Sequence, residues 1–227
     1  MTTEVKLFRF TRQHLHWHYT SADRVIELDG QDFLPAPISH TGITDGGDAN
    51  KVSIRITLPR TLPVAANWWP WPPGDVIVAT IWTKDVGEDQ AFVDWIGRVV
   101  APQFTGNELT LVSEPNSTTA RRGGKGRVLG RGCDHILFSA GCGVDPADHA
   151  LPATLDGVAG LTLAATAFLA LPSGRLAGGW IEWEREDGLI ERRSIAQHTG
   201  NAIVIDYGAD ELAPDLEVTA YPGCAQT

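Results

Sequence analysis

No run of apolar residues in this 227-residue chain approaches the length of about 18 that a membrane-spanning helix needs. The nearest, Leu161 to Leu171, is short and rich in alanine, so the chain reads as soluble. Basic residues are also scarce: 18 Lys and Arg stand against 28 Asp and Glu, a net charge of −10. That balance argues against a protein whose main task is to neutralise nucleic-acid phosphates. Cysteines number only three, Cys133, Cys142 and Cys224. An odd count cannot close a disulfide framework, and no positively charged leader with an apolar core precedes the first strand, so reduced thiols are expected. Nor does the core need staples, because a chain of this length buries roughly 70–75% of the surface its unfolded form exposes. Three reaction motifs are missing as well: Gly-x-x-x-x-Gly-Lys-Ser/Thr, Gly-x-Ser-x-Gly and His-Glu-x-x-His.

What the chain does have is turn chemistry, with 24 Gly and 14 Pro, and strand periodicity. Val52, Ile54, Ile56 and Leu58 alternate with Ser53, Arg55 and Thr57, which predicts a half-buried strand. Val76 to Trp82 reads as a more deeply buried one. Trp95 to Phe104 and Leu109 to Val112 predict a hairpin across Thr105-Gly106-Asn107, and Trp180 to Arg185 pairs with Leu189 to Ile195 across Glu186-Asp187-Gly188. Ala202 to Tyr207 and Leu216 to Tyr221 add two more strands. Only Phe138 to Val144 and Ala164 to Leu171 suggest short helices. The chain is therefore expected to be mainly β and to have two domains, 1–114 and 115–227, divided at the polar stretch Ser113 to Thr119.

Five side-chain groups could carry function. Each cysteine follows a glycine, as loops that bring ligands to a metal often require, and the spacing is not that of a zinc knuckle. From the residues alone, the three are either small buried hydrophobes or thiolate ligands of zinc or an iron-sulfur cluster. His14, His16 and His18 share one face of a strand, where a polar solvated face explains them and none is taken as a ligand. Trp68, Trp69 and Trp71, in a proline-stiffened loop, suit core packing or an interface anchor, and less well a sugar platform. Arg121, Arg122, Lys125, Arg127 and Arg131 form a glycine-interleaved basic island, either a solvated loop, a contact for an acidic neighbouring subunit or a counter-charge for thiolates. Glu182, Glu184, Glu186 and Asp187 read as a solvated strand edge.

Ordered blocks in the second half carry a resemblance: Arg131-Gly132-Cys133-Asp134-His135-Ile136-Leu137-Phe138, Cys142-Gly143-Val144-Asp145, Ala177-Gly178-Gly179-Trp180-Ile181-Glu182-Trp183, Glu191-Arg192-Arg193, His198 and Ala220-Tyr221-Pro222-Gly223-Cys224. They resemble the phage tail-tip hub proteins of siphophages and gene transfer agents, a family similar to the lambda tail-tip L protein. The stretch Ile26 to Pro37 is similar, more loosely, to that family's amino-terminal hub domain. The resemblance implies an N-terminal β-barrel-like hub domain, a small C-terminal β domain with clustered cysteines, and a non-enzymatic structural role in a virion tail tip assembled in the host cytoplasm. It further implies a homotrimer contacting the distal tail protein and the central tip or fibre protein, with no direct binding of nucleic acid or membrane. Cys133, Cys142 and Cys224 match three of the family's four ligands to an iron-sulfur cluster of the 4Fe-4S kind. The fourth normally follows a few residues after the last Gly-Cys, where this sequence has Ala225-Gln226-Thr227. The chain is thus expected to continue, to use His135, His149 or His198 instead, or to keep the fold without metal. The rival functions are a small cysteine-ligated metalloenzyme or redox protein, and a carbohydrate-binding tail module.

Overall fold

The computed structural model describes residues 4–42, 53–115, 133 and 135–224. These fall into two compact units, one within Met1–Trp69 and Asp75–Gly124, the other within Pro70–Gly74 and Lys125–Thr227. Both are built from strands, and the described residues contain no α-helix. The protein is mainly β, as its periodicity predicts.

In the first unit the strands are β1 (Glu4–Arg12), β2 (Leu15–Thr20), β3 (Ile26–Leu28), β4 (Gln31–Pro35), β5 (Ser39–His40), β6 (Ile54–Pro59), β7 (Val78–Asp85), β8 (Ala91–Thr105) and β9 (Glu108–Pro115). They form one sheet in the order β3-β4-β2-β1-β7-β8-β9-β6-β5. Alternation sets its inner face: Ile54, Ile56 and Leu58 of β6 point inward, as do Leu109 and Leu111 of β9. Together with Phe8, Phe10, Tyr19, Ile81 and Trp95 they close on a single core, so the sheet curls into a half-barrel. On the opposite side of β1, Val5 and Leu7 pack against Ile26, Leu28 and Phe33. Gly106 lies at φ +59°, the left-handed region, and lets the two-residue turn join β8 to β9 with Thr105 opposite Glu108. Arg12, at the end of β1, is fully buried; its Nε sits 2.6 Å from Asp75 Oδ1 and its Nη1 donates to Asn67 Oδ1.

The second unit contains β10 (Leu151–Thr154), β11 (Gly157–Ala159), β12 (Thr162–Ala164), β13 (Trp180–Glu184), β14 (Ile190–Thr199), β15 (Ala202–Ile205) and β16 (Glu217–Tyr221). They form an antiparallel sheet in the order β10-β16-β13-β14-β15-β12-β11. Leu163, Phe168, Leu176, Ile181, Trp183, Ile195 and Val218 fill its core. The two expected helices are corrected here. Phe138 to Val144 is a series of turns in which Phe138 and Gly143 take positive φ, a conformation no right-handed helix accommodates. Ala164 to Leu171 yields only the 3-10 turn Thr166–Ala170, capped by the Asp156 carboxylate, which accepts from both the backbone N–H and the hydroxyl of Thr166. The acidic residues of β13 are not on a sheet edge either, because β13 lies between β16 and β14.

A buried ion pair organises this unit. Arg193 and Glu191, two residues apart on β14, face the same side and are 3% and 2% exposed. Arg193 Nη1 is 2.8 Å from Glu191 Oε2, and its Nε donates to the Gly208 carbonyl. The guanidinium also lies over the rings of Trp183 and Tyr207. Glu191 Oε2 accepts from Gly74 N–H, and a Cβ on Gly74 would come within 2.7 Å of the Arg192 carbonyl oxygen. Replacing Glu191 by alanine leaves a buried guanidinium without its carboxylate. Urea denaturation of Glu191→Ala is expected to show a loss of about 3–5 kcal/mol, whereas Arg192→Ala, which removes only an exposed pair with Glu182, should cost no more than about 1 kcal/mol.

Candidate functional site

Two backbone segments cross at the end of the second sheet. Residues 172–179 run past the end of β14, where Gly174 N–H donates to the His198 carbonyl and Gly178 N–H to that of Ile195. They meet residues 221–223 so closely that a Cβ on Gly179 would sit 1.9 Å from the Tyr221 carbonyl oxygen, and one on Gly223 would sit 2.0 Å from that of Ala177. Only glycine allows this approach. Gly223 is then held from both sides: its N–H donates to the Arg175 carbonyl, and its own carbonyl accepts from Arg175 Nη1. Cys224 follows directly.

The turn-rich segment 135–145 lies over the same end. Trp180 and Tyr221 stack with ring centroids 4.8 Å apart, and Phe138 meets Trp180 edge-on at 5.2 Å. His149 lies 6.0 Å from the same Phe138 ring. Phe138 holds φ +58°, costly for a residue with a Cβ, and the aromatic packing keeps it there. Beneath it is a cavity of about 140 Å³ walled by Phe138, Cys142, His149, Arg175, Gly223 and Cys224. Tyr221 OH donates to Glu182 Oε1, and burial, followed by the Glu182 carboxylate, raises its pKa above the usual tyrosine value.

Of the three cysteines, the fold thus brings Cys142 and Cys224 to one cavity, while Cys133 is exposed and is not one of its walls. Among the described residues, no group of three or more His, Cys, Asp or Glu side chains is placed to hold a metal ion. The glycine before Cys142 is needed for space, since a Cβ on Gly141 would sit 2.7 Å from His135 Nδ1. The candidate fourth ligands separate clearly. His198 is buried with both ring nitrogens engaged, Nδ1 accepting from Leu176 N–H and Nε2 donating to the Gly200 carbonyl, so its role is structural. His149 borders the cavity, and His135 packs against Gly141. Arg175 and the Phe138-Trp180-Tyr221 cluster are residues that sequence reasoning missed; the glycine pair at 178–179 and the glycine at 223 were the signals available for the crossing.

The other candidates lie elsewhere. Trp68 is turned into the first unit's core. Trp69 is exposed, set edge-on to Phe104 and covered by the Arg60 guanidinium. Trp71, in the second unit, rests against Gly208, where a Cβ would come within 2.9 Å of its ring. Arg121, Arg122, Lys125, Arg127 and Arg131 lie outside the described residues. His16 and His18 share a face of β2, their rings 6.1 Å apart, and His14 sits in the preceding turn. His18 packs edge-on to Phe33, and burial, then Arg9 and His16, lower its pKa.

The fold so described has a solved counterpart. The whole chain superposes on a chain from the virion of a native gene transfer agent particle with a TM-score of 0.80, covering 82% of that chain at 19% identity, a likeness of fold. No family model matches the sequence. An uncharacterized protein of Xylella fastidiosa (strain 9a5c) is 33% identical over 160 residues, 64% of this chain. The match spans 33% of that relative's own length.

The crossing gives a direct test. Gly179→Ala forces the 172–179 segment off the Tyr221 carbonyl and is expected to lower stability by about 1–3 kcal/mol. Thermal unfolding measures this loss, and faster modification of Cys224 by a maleimide should accompany it. Gly178→Ala is not a substitute control, since Gly178 has a positive φ of its own.

Proposed function

We propose that this chain is a non-enzymatic structural subunit of a phage-like tail, placed in the hub ring at the tail tip. There it assembles with copies of itself as a trimer and with the distal tail and central tip proteins. The observation that carries this reading is the fold likeness, over the entire chain, to a chain of a gene transfer agent virion. A surface suited to assembly supports it. Along β8, Trp95 turns inward while Phe92, Val93, Ile96 and Val100 stay exposed, Phe92 at 68%. Several large apolar side chains left exposed along one strand are the kind of surface that a protein contact covers.

The sequence resemblance adds a cofactor to this proposal: an iron-sulfur cluster in the second unit, with Cys133, Cys142 and Cys224 as thiolate ligands. The cavity shared by Cys142 and Cys224, with the flanking chain pinned at Gly223, supports part of such a site. His149, on the same cavity, is the described histidine best placed to complete it. In this reading the cluster would tie together loops that the apolar core does not reach. Arg175 would hold Gly223, and hence Cys224, in position.

Two measurements test these assignments separately. Gold-labelled antibody against the chain should decorate one end of phage-like tails from the producing cell. Label spread along the tube, or absent from particles, overturns the placement. Anaerobically purified chain should be brown and contain iron with acid-labile sulfide, and Cys142→Ser should bleach it. Colourless protein holding zinc or no metal removes the cluster and leaves the structural role standing.

A further inference from the structure

On the face of the first sheet turned away from its main core, residues line up across four strands. Register sets His18 of β2 opposite Arg9 of β1, Arg9 opposite Thr80 of β7, and Thr80 opposite Ile96 of β8. The next row toward the small core of Val5 and Leu7 has Trp82 opposite Val93. Arg9 lies over Trp82, its Cζ 4.9 Å from the ring centroid, and His18 packs edge-on to Phe33 with centroids 4.9 Å apart. These contacts hold both side chains at the rim of that small core. His16, on the same face of β2, has its ring 6.1 Å from that of His18 and its Nδ1 3.1 Å from the Thr11 hydroxyl.

Arg9 is half-buried and takes part in no ion pair or hydrogen bond. Its Nε is enclosed by packing, which fixes the stem and leaves the terminal nitrogens as the donors open to a ligand. The other charged groups on this face are already engaged: Lys84 Nζ donates to the Glu88 carbonyl, and Arg98 pairs with Glu114. Asp32 of β4 alternates with Phe33 and so points the other way, and Asp94 of β8 is held by Lys6 and Thr83. Burial, then Arg9 and His16, lower the His18 pKa, as expected where cations crowd without a counter-charge. A metal ion would add to that crowding, and an anion relieves it. Ile96 and Val93, 48% and 53% exposed, continue the same strip, so its occupant is apolar as well as anionic. A free phosphate meets only the first need. A protein segment bearing a carboxylate and an apolar side chain meets both.

We infer that this strip docks an acidic, partly apolar segment of a neighbouring protein. A carboxylate bridges Arg9 and His18, with His16 alongside, and an apolar side chain covers Ile96. Two strand spacings, roughly 10 Å, separate Arg9 from Ile96. Three extended residues span about that distance, so an acidic and an apolar residue three positions apart fit the strip. The carboxylate favours the His18 imidazolium over the neutral ring, so affinity rises as pH falls. The inference rests on the reading of β8 as a contact surface. The gold label tests where the chain sits and the titration below tests what this face binds, so either can fail alone.

The test is titration of the full chain, labelled with ¹³C at histidine, with the end-blocked peptide Leu-Gly-Ser-Glu-Ser-Gly-Leu, which offers leucine three positions from glutamate in either direction. The His18 ring resonance, assigned by its loss in His18→Gln, should shift saturably. Affinity should rise between about pH 8 and about pH 5, where glutamate is still ionised. The same peptide with glutamine in place of glutamate should bind at least about tenfold more weakly, and so should the glutamate peptide to Arg9→Gln. Binding should also weaken in Ile96→Ser, a change at an exposed position that leaves the fold intact. An unmoved His18 resonance, an affinity that does not rise as pH falls, equal binding of the glutamine peptide, or undiminished binding to either variant overturns the proposal. So does inorganic phosphate matching the peptide while loss of both leucines costs nothing, which would mark a free-anion site.

Discussion

The buried Arg193–Glu191 pair is the interaction on which the second unit depends. Two ions taken out of water are stable only if nearly every donor and lone pair is answered, and here the fold answers most of them. The guanidinium reaches the Gly208 and Arg192 carbonyls as well as Glu191, and the carboxylate receives the Gly74 N–H. This requirement reaches outward. Gly74 and Gly208 lack a Cβ because side chains and backbone press against them, and Trp183 is pinned under the charge with its own N–H unpaired.

The cysteine cavity depends on a different constraint, the passage of residues 177–179 across 221–223 at backbone contact. Hydrogen bonds from Arg175 keep that crossing closed, and the aromatic stack of Trp180 and Tyr221 gives the Phe138 turn something to lie on. Cys142 and Cys224, 82 positions apart in the sequence, meet because three loops converge at one end of the sheet. Their neighbourhood is apolar and aromatic. A ligand-bearing loop is steadied there by packing, with little help from regular secondary structure.

Much of the architecture was legible in the chain. The alternation of Ile54, Ile56 and Leu58 marks β6 because a sheet with one buried face forces period two, and the Gly106 and Gly188 turns mark their hairpins because left-handed φ is cheap only for glycine. Other elements were hidden for equally physical reasons. The Phe138 segment has the apolar content of a short helix, but the pull of Trp180 and Tyr221 on its ring outweighs local propensity and drives the backbone to positive φ. The edge strands β3, β5 and β11 are two or three residues long, too short for any periodicity to show. His198 looked like a possible ligand until its two nitrogens were seen to be engaged by Leu176 and Gly200, backbone partners that spacing does not reveal.

The sequence by itself determined the class of the molecule. Strand periodicity, turn glycines and a cysteine count too low for a disulfide framework define a mainly β protein with a cysteine-bearing second half, because these features act over a few neighbouring residues. Only the tertiary structure decided which of those residues meet. It brought Cys142 to Cys224 and left Cys133 exposed, and it turned Trp68 inward and Trp69 outward. Such outcomes depend on distances between residues far apart in the chain, and those distances are set by packing and charge in the folded state.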